Sequence, residues 1–234
     1  MTENQITRWL LKPAVFIAAL VPAAILIYLT WTAYRGNPSA WPGLTGNLSA
    51  NPLEDITHQT GDWALRFLCI TLTITPLRRL TGWNMLIRFR RMAGLFAFFY
   101  GTLHFLTYVI VDRFAGLDFP NGIVAWRTLR DLAASVGHDI AKRPFITVGF
   151  TAWTLMLPLA LTSTAGMIRR LGGKRWQWLH RLIYLIAPLG ILHFWWMKAA
   201  KHNFTEPIIF GLIVTLLLGL RVYWKSTRGI PARA

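Results

Sequence analysis

Six apolar runs, each near the length a helix needs to cross a bilayer, constrain this chain more than any other feature. They are Leu10 to Trp31, Asp62 to Leu77, Met92 to Val111, Phe145 to Ile168, Leu182 to Met197 and Pro207 to Trp224. A helix rises about 1.5 Å per residue, so about 20 residues cover the hydrocarbon core. Lipid offers no water to the backbone, so each run must satisfy its own N–H and C=O groups, and a helix does so. The expected fold is an all-α membrane protein, a bundle of six transmembrane helices. A mean hydropathy of +0.42 with 54% hydrophobic residues agrees with that class.

The charges sort along the same runs. The chain carries 25 Lys+Arg against 9 Asp+Glu, a formal net charge of +16. Such a balance can mark a nucleic-acid binder, but here the basic residues alternate with apolar runs and form no single stripe, so nucleic acid is excluded as a partner. The loop from Arg78 to Arg91 holds five basic residues, the loop from Arg169 to Arg181 five, and the tail from Arg221 four. With Arg8 and Lys12 these lie on one side, joined there by the single acid Glu3. All other acids fall on the opposite side or at its boundary. Short cytoplasmic loops are enriched in Lys and Arg, so both termini are expected in the cytoplasm. The first run lacks a close small-residue cleavage site and is expected to stay as an anchor, with Lys12 reaching the headgroups.

Between the runs, Ala33 to Gly61 is a Gly/Pro/Asn-rich loop. Asp112 to Arg143 is a long polar loop with an amphipathic helix expected near Ile123 to Val136. The domain reading is 1–45 for the anchor helix and the start of the outer loop, 46–200 for the core, and 201–234 for the last helix and basic tail. The one cysteine, Cys69, sits in an apolar run, which excludes an internal disulfide and a cysteine-ligated iron–sulfur cluster within the chain.

Ionisable residues at membrane depth mark function by default. The stretch WQWLHRLIYLIAPLGILHFWW carries His180 at its cytoplasmic edge and His193 in its outer half, and the third run carries His104. Orientation puts His104, 13 residues beyond Arg91, at the depth of His193. Two neutral imidazoles on different helices at one depth can ligate one haem iron. Gly94 and Gly101 permit close approach, and Phe98, Phe99, Phe105, Phe194 and Trp195 offer apolar walls. The inner level has no second histidine in the third run. A haem at His180 therefore needs a weaker ligand, a water or an arginine contact, while Arg90 and Arg91 suit haem propionates or a flavin phosphate. In a straight helix His180 and His193 stand about 140° apart, and a kink at Pro188 is expected to reduce this. His58, His138 and His202 read as solvated. Thr71, Thr73 and Thr75 read as bonded to preceding carbonyls. Asn47 and Asn203 match a glycosylation pattern of high chance frequency.

Several runs together resemble a known family. ITHQTGDWALRF, TPLRRLTGWN, IRFRRMAGLFAFFYGTLHFLTYV, DIAKRPFITVGF, PLALTSTAGMIRRLG and WQWLHRLIYLI with LHFWW are similar in order and spacing to the haem-binding membrane subunits of bacterial protein-methionine-sulfoxide reductase systems, within the ferric-reductase-like transmembrane superfamily. The similarity covers about Asn51 to Lys198, with Phe119 to Gly137 looking like an insertion. It implies b-type haem (heme b, one or two), an inner-membrane location, and haem ligands at His104, His180 and His193. It also implies a periplasmic molybdenum-containing MsrP partner, with electrons from the quinone pool or a cytoplasmic flavin reductase. Repair of oxidised methionine then takes place on the partner. FMN is implied by the resemblance alone, since no flavin motif and no G-x-G-x-x-G segment is present. Two other readings stand beside it. A free-standing ferric or quinone reductase predicts an attached nucleotide-binding domain, whereas the sequence stops ten residues past the last run. A cofactor-free transporter or structural subunit predicts repeated halves, and none is visible.

Overall fold

The computed structural model describes residues 3–34, 52–110, 126–199 and 202–227, and every regular element among them is helical. A short α1 (Glu3–Ile6) leads through a π turn (Thr7–Leu11) into α2 (Lys12–Tyr34). Then come α3 (Pro52–Thr81), α4 (Ile87–Thr107), α5 (Trp126–Lys142), α6 (Pro144–Leu161), α7 (Ala165–Leu179), α8 (Ile183–Ala199) and α9 (Thr205–Thr227). Among the described residues, five helical stretches are long and apolar enough to cross a membrane: Thr7–Thr32, Asn84–Ile110, Pro144–Leu161, Ala165–Ala199 and Thr205–Thr227. The chain is a multi-pass membrane protein. The expected second span lies in α3, whose Glu54, Asp55, Asp62 and Arg66 lower its hydropathy below that of the other five.

Several boundaries moved, each for a local reason. α3 starts ten residues before Asp62, inside the expected loop. Pro52 suits a first helical turn, and Glu54 and Asp55 sit at the positive end of the helix dipole. Residues 35–51, with the Asn47 pattern, lie outside the described residues, as do Val111 and 119–125 of the expected insertion. His58 is helical, 3.8 Å from Glu54 one turn earlier. The expected amphipathic helix is α5, displaced toward the C-terminus. The fourth run stops at Leu161, seven residues early. Thr162 and Ser163 hydroxyls donate back to the carbonyls of Pro158 and Leu159, and the Thr164 hydroxyl caps the next helix by accepting from the Met167 N–H at 3.2 Å. The second basic loop is itself helical as α7, broken where Gly172 takes φ +72°.

The described chain forms two compact units. The first draws on 1–64 and 99–136. Its packing turns on Tyr100, which is fully buried. Pro22 cannot donate to the Ala18 carbonyl, which loosens α2 there. One residue on, the Tyr100 hydroxyl donates to the Ala19 carbonyl at 2.7 Å and accepts from the Ala23 N–H at 3.1 Å, bridging one helical rung. Trp63 lies against the same ring at 6.2 Å between centroids.

The second unit draws on 65–98 and 137–234, with α6, α8 and α9 packed in sequence. Ile186 and Ala187 are buried at its centre, and Gly190 admits Leu65 and Leu68. Thr71 and Thr73 donate to the Phe67 and Cys69 carbonyls as expected, but the buried Thr75 hydroxyl has no hydrogen-bond partner. Many large apolar side chains, such as Ile27, Leu212 and Leu216, point outward. That is the pattern of helices solvated by lipid.

Candidate haem-ligand site

In the first unit, His104 lies in the last turn of α4. Its Nδ1 is 2.8 Å from the Thr57 carbonyl of α3. A carbonyl only accepts, so Nδ1 carries the proton and Nε2 the lone pair, the tautomer that ligates a metal. The ring lies over Gly61, one turn past Thr57: a Cβ built there would stand 3.1 Å from Nδ1.

The second unit repeats the device with different elements. His193 Nδ1 on α8 is 2.7 Å from the Phe145 carbonyl in the first turn of α6. Gly149, one turn past Phe145, lies beneath the ring, and a Cβ there would stand 2.6 Å from Nδ1. In each unit a backbone carbonyl fixes the tautomer, and a glycine four residues later gives the imidazole room to reach that carbonyl. Sequence reasoning chose Gly94 and Gly101 for close approach, but Gly94 faces Thr71. Gly61 and Gly149 were missed. The only signal for them was their membership of helices opposite the histidines, which a single sequence does not reveal.

Three of the expected aromatic wall residues pack on other rings. Phe194 packs edge-on to Phe210 at 6.1 Å and Trp195 against Phe204 at 5.1 Å, while Phe99 meets Tyr100 at 5.2 Å. Phe145 lies against the His193 ring, 6.4 Å between centroids.

His180 is built differently. It opens a 3-10 turn, His180–Leu182, between α7 and α8, so it does not share a continuous α-helix with His193. The expected straight-helix phase of 140° therefore does not apply, because the turn intervenes before Pro188 does. Its Nδ1 is 3.0 Å from the Trp176 carbonyl, and the Trp176 indole stacks on the imidazole at 3.9 Å. That indole is held in turn by its Nε1–H, which donates to the Thr162 carbonyl at 3.0 Å. His180 Nε2 is buried outside hydrogen-bond geometry, with the Leu159 carbonyl acting on the ring. A buried ring nitrogen satisfied this weakly fits a ligand to a bound cofactor.

Arg90 is half-buried and lies within electrostatic reach of His180, Arg221, Tyr184 and Arg78. Arg91 is exposed. Arg221 was not anticipated. Pro76 leaves the Leu72 carbonyl without its helical donor, and Arg221 Nη2 supplies one at 2.7 Å. Among the described residues no group of three or more His, Cys, Asp or Glu could hold a metal ion. A haem iron does not need one, since the macrocycle supplies four ligands and the protein only the axial positions. The donor chemistry at His104 and His193, neutral imidazoles with Nδ1 tied to backbone, fits that requirement.

Residues 60–191 match the family model described as ferric reductase like transmembrane component. A Herminiimonas arsenicoxydans protein named protein-methionine-sulfoxide reductase heme-binding subunit MsrQ is 55% identical over 92% of this chain and 85% of its own length. A protein of the same name from Ralstonia nicotianae is 54% identical over 90% and 84%. One from Xanthomonas campestris pv. campestris is 44% identical over 100% and 95%. No solved structure matches.

Proposed function

The chain belongs to the MsrQ family of ferric-reductase-like membrane proteins, and on that premise we propose that it is a b-type haem subunit passing electrons outward across a bacterial inner membrane. The recipient is a periplasmic molybdenum-containing methionine sulfoxide reductase of the MsrP kind, where oxidised methionine is repaired. Quinone or a cytoplasmic flavin reductase supplies the electrons. The reading takes α3 as the sixth span, places both termini in the cytoplasm, and assigns 46–200 as the haem-binding core. The haem supplies one-electron redox chemistry when bound.

The residues do the rest. His104 and His193 would each ligate haem iron, kept in the Nε2 lone-pair form by its carbonyl, Thr57 for one and Phe145 for the other. His180 serves the cytoplasmic side, where its Nε2 would ligate an inner cofactor. Arg91, exposed, faces the donor. FMN enters this reading through the family resemblance only. The apolar surround keeps water from the ligands and leaves the axial donors and nearby charge to set the potential.

The observation that carries the proposal is the repeated pairing of an Nδ1–carbonyl bond with a glycine beneath the ring at two separate histidines. The test is the reduced-minus-oxidised absorption spectrum and haem content of the purified protein. His104→Ala and His193→Ala should each abolish the six-coordinate b-type signal. Undiminished haem in either variant overturns the ligand assignment.

A further inference from the structure

The second unit contains two acidic residues, and each is engaged by a basic residue outside its arginine cluster. Asp139 lies 3.4 Å from Arg143, and Glu206 lies 2.8 Å from Lys198. Arg221 and Arg78 nonetheless lie within electrostatic reach of Arg90, all three are half-buried, and among the described residues the groups acting on Arg90 include no carboxylate. Like charges drawn together in a low-dielectric setting repel one another unless something supplies the opposite charge. Arg221 uses Nη2 on the Leu72 carbonyl and reaches the Tyr184 hydroxyl with Nη1 at 3.5 Å, while its Nε is buried without a hydrogen-bond partner. Part of its donor fork is left for a ligand.

Tyr184 joins this cluster to an apolar surface. The Arg221 guanidinium stands 5.5 Å from the Tyr184 ring. The same tyrosine lines an open groove of about 390 Å³ with Trp178, Arg181, Leu182 and Leu185. Trp178 is strongly exposed, as an interfacial tryptophan would be. One end of the surface thus offers guanidinium charge with no carboxylate partner among the described residues, and the other offers aliphatic and aromatic walls. A molecule with an anionic phosphate and a hydrocarbon chain matches both ends. Basic pockets between membrane helices take acidic lipid headgroups in this manner.

We infer that Arg90, Arg221 and Arg78, with the Tyr184 groove, form a binding site for an acidic phospholipid. The headgroup phosphate is held by the guanidinium groups, and an acyl chain lies along Leu182 and Leu185. Arg181 stands at the groove rim to neutralise the headgroup.

The test is native mass spectrometry of the full-length detergent-solubilised protein titrated with phosphatidylglycerol, with phosphatidylcholine as the zwitterionic reference. Wild-type protein should prefer phosphatidylglycerol. Arg221→Gln and Arg90→Gln should each weaken its binding about fivefold, the loss expected for one basic residue near an anionic headgroup. Exposed Arg169, on α7 outside the cluster, is the control, and Arg169→Gln should leave affinity unchanged. Arg90→Gln leaves the Arg221–Leu72 bond intact, so it separates lost charge from a disturbed helix. Equal affinities in wild type and both variants overturn the site. Acid release of a phosphorylated cofactor from wild type but not from the variants, with lipid affinity unchanged, also overturns it, since the cluster would then be serving a cofactor. Haem absorbance read in the same samples reports on His104 and His193 independently, so failure of the lipid site and failure of the haem reading are distinguishable.

Discussion

Gly149→Ala isolates the contribution of the glycine beneath His193. A Cβ at this position stands 2.6 Å from Nδ1, 2.8 Å from Cε1 and 3.1 Å from Cγ, so the clash falls on the ring itself and not on a flexible chain end. Ordinary contact begins near 3.4 Å, so the imidazole must retreat by about 0.8 Å. The Nδ1···Phe145 carbonyl distance is 2.7 Å, and a retreat of that size breaks the bond. The ring then loses both its tautomer and its aim. Loss of a partner that orients a metal ligand typically costs about 10- to 100-fold in affinity, or about 1.4–2.8 kcal/mol. The assay is haem retention per chain with the reduced α-band, measured against free haem titrated into the protein. Gly61→Ala is the graded comparison. Its Cβ stands 3.1 Å from His104 Nδ1, so a shift of about 0.3 Å suffices, and the loss should stay under about tenfold. Wild-type retention in Gly149→Ala, or a larger defect in Gly61→Ala, refutes the reasoning.

Three further outcomes concern stability in detergent, each read as a shift in thermal unfolding midpoint. Tyr100→Phe should destabilise by about 1–3 kcal/mol, because the Ala19 carbonyl and Ala23 N–H lose the hydroxyl that bridges them. An unchanged midpoint would mean that α2 recloses its rung. Gly172→Ala should cost about 1–3 kcal/mol from backbone strain alone: φ is +72°, and no atom lies within 4 Å of the added Cβ. A neutral result would show that the break in α7 is not a fixed feature. Trp176→Phe should cost about 0.5–1.5 kcal/mol through the lost Thr162 bond. Trp176→Ala should cost more, because the His180 stack goes as well. Equal shifts would remove the stack from the account.

Much of the fold was legible because lipid imposes simple demands. Apolar runs of spanning length had to become helices, and α2, α4, α6, α8 and α9 follow from that. The histidine in the last turn of α4 and its counterpart in α8 were equally visible, since a polar ring in an apolar run is conspicuous. Helix ends were less legible. Whether Thr162, Ser163 and Thr164 continue a helix or terminate it depends on which carbonyls their hydroxyls reach, and both outcomes share one sequence. His180 illustrates the same limit: sequence spacing implied a phase relation to His193 that the 3-10 turn at His180–Leu182 removes.

The sequence by itself determined that this is a helical membrane protein with three candidate haem ligands, because hydropathy, charge sorting and residue type are local properties. Only the tertiary structure decided what fixes those ligands. That Thr57 and Phe145 present carbonyls to His104 and His193, that Gly61 and Gly149 clear their paths, and that Arg221 answers the carbonyl freed by Pro76 are facts of residues 43 to 149 positions apart. Hydrogen bonds and steric clearance act over a few ångströms. Such pairings exist only once the helices have packed.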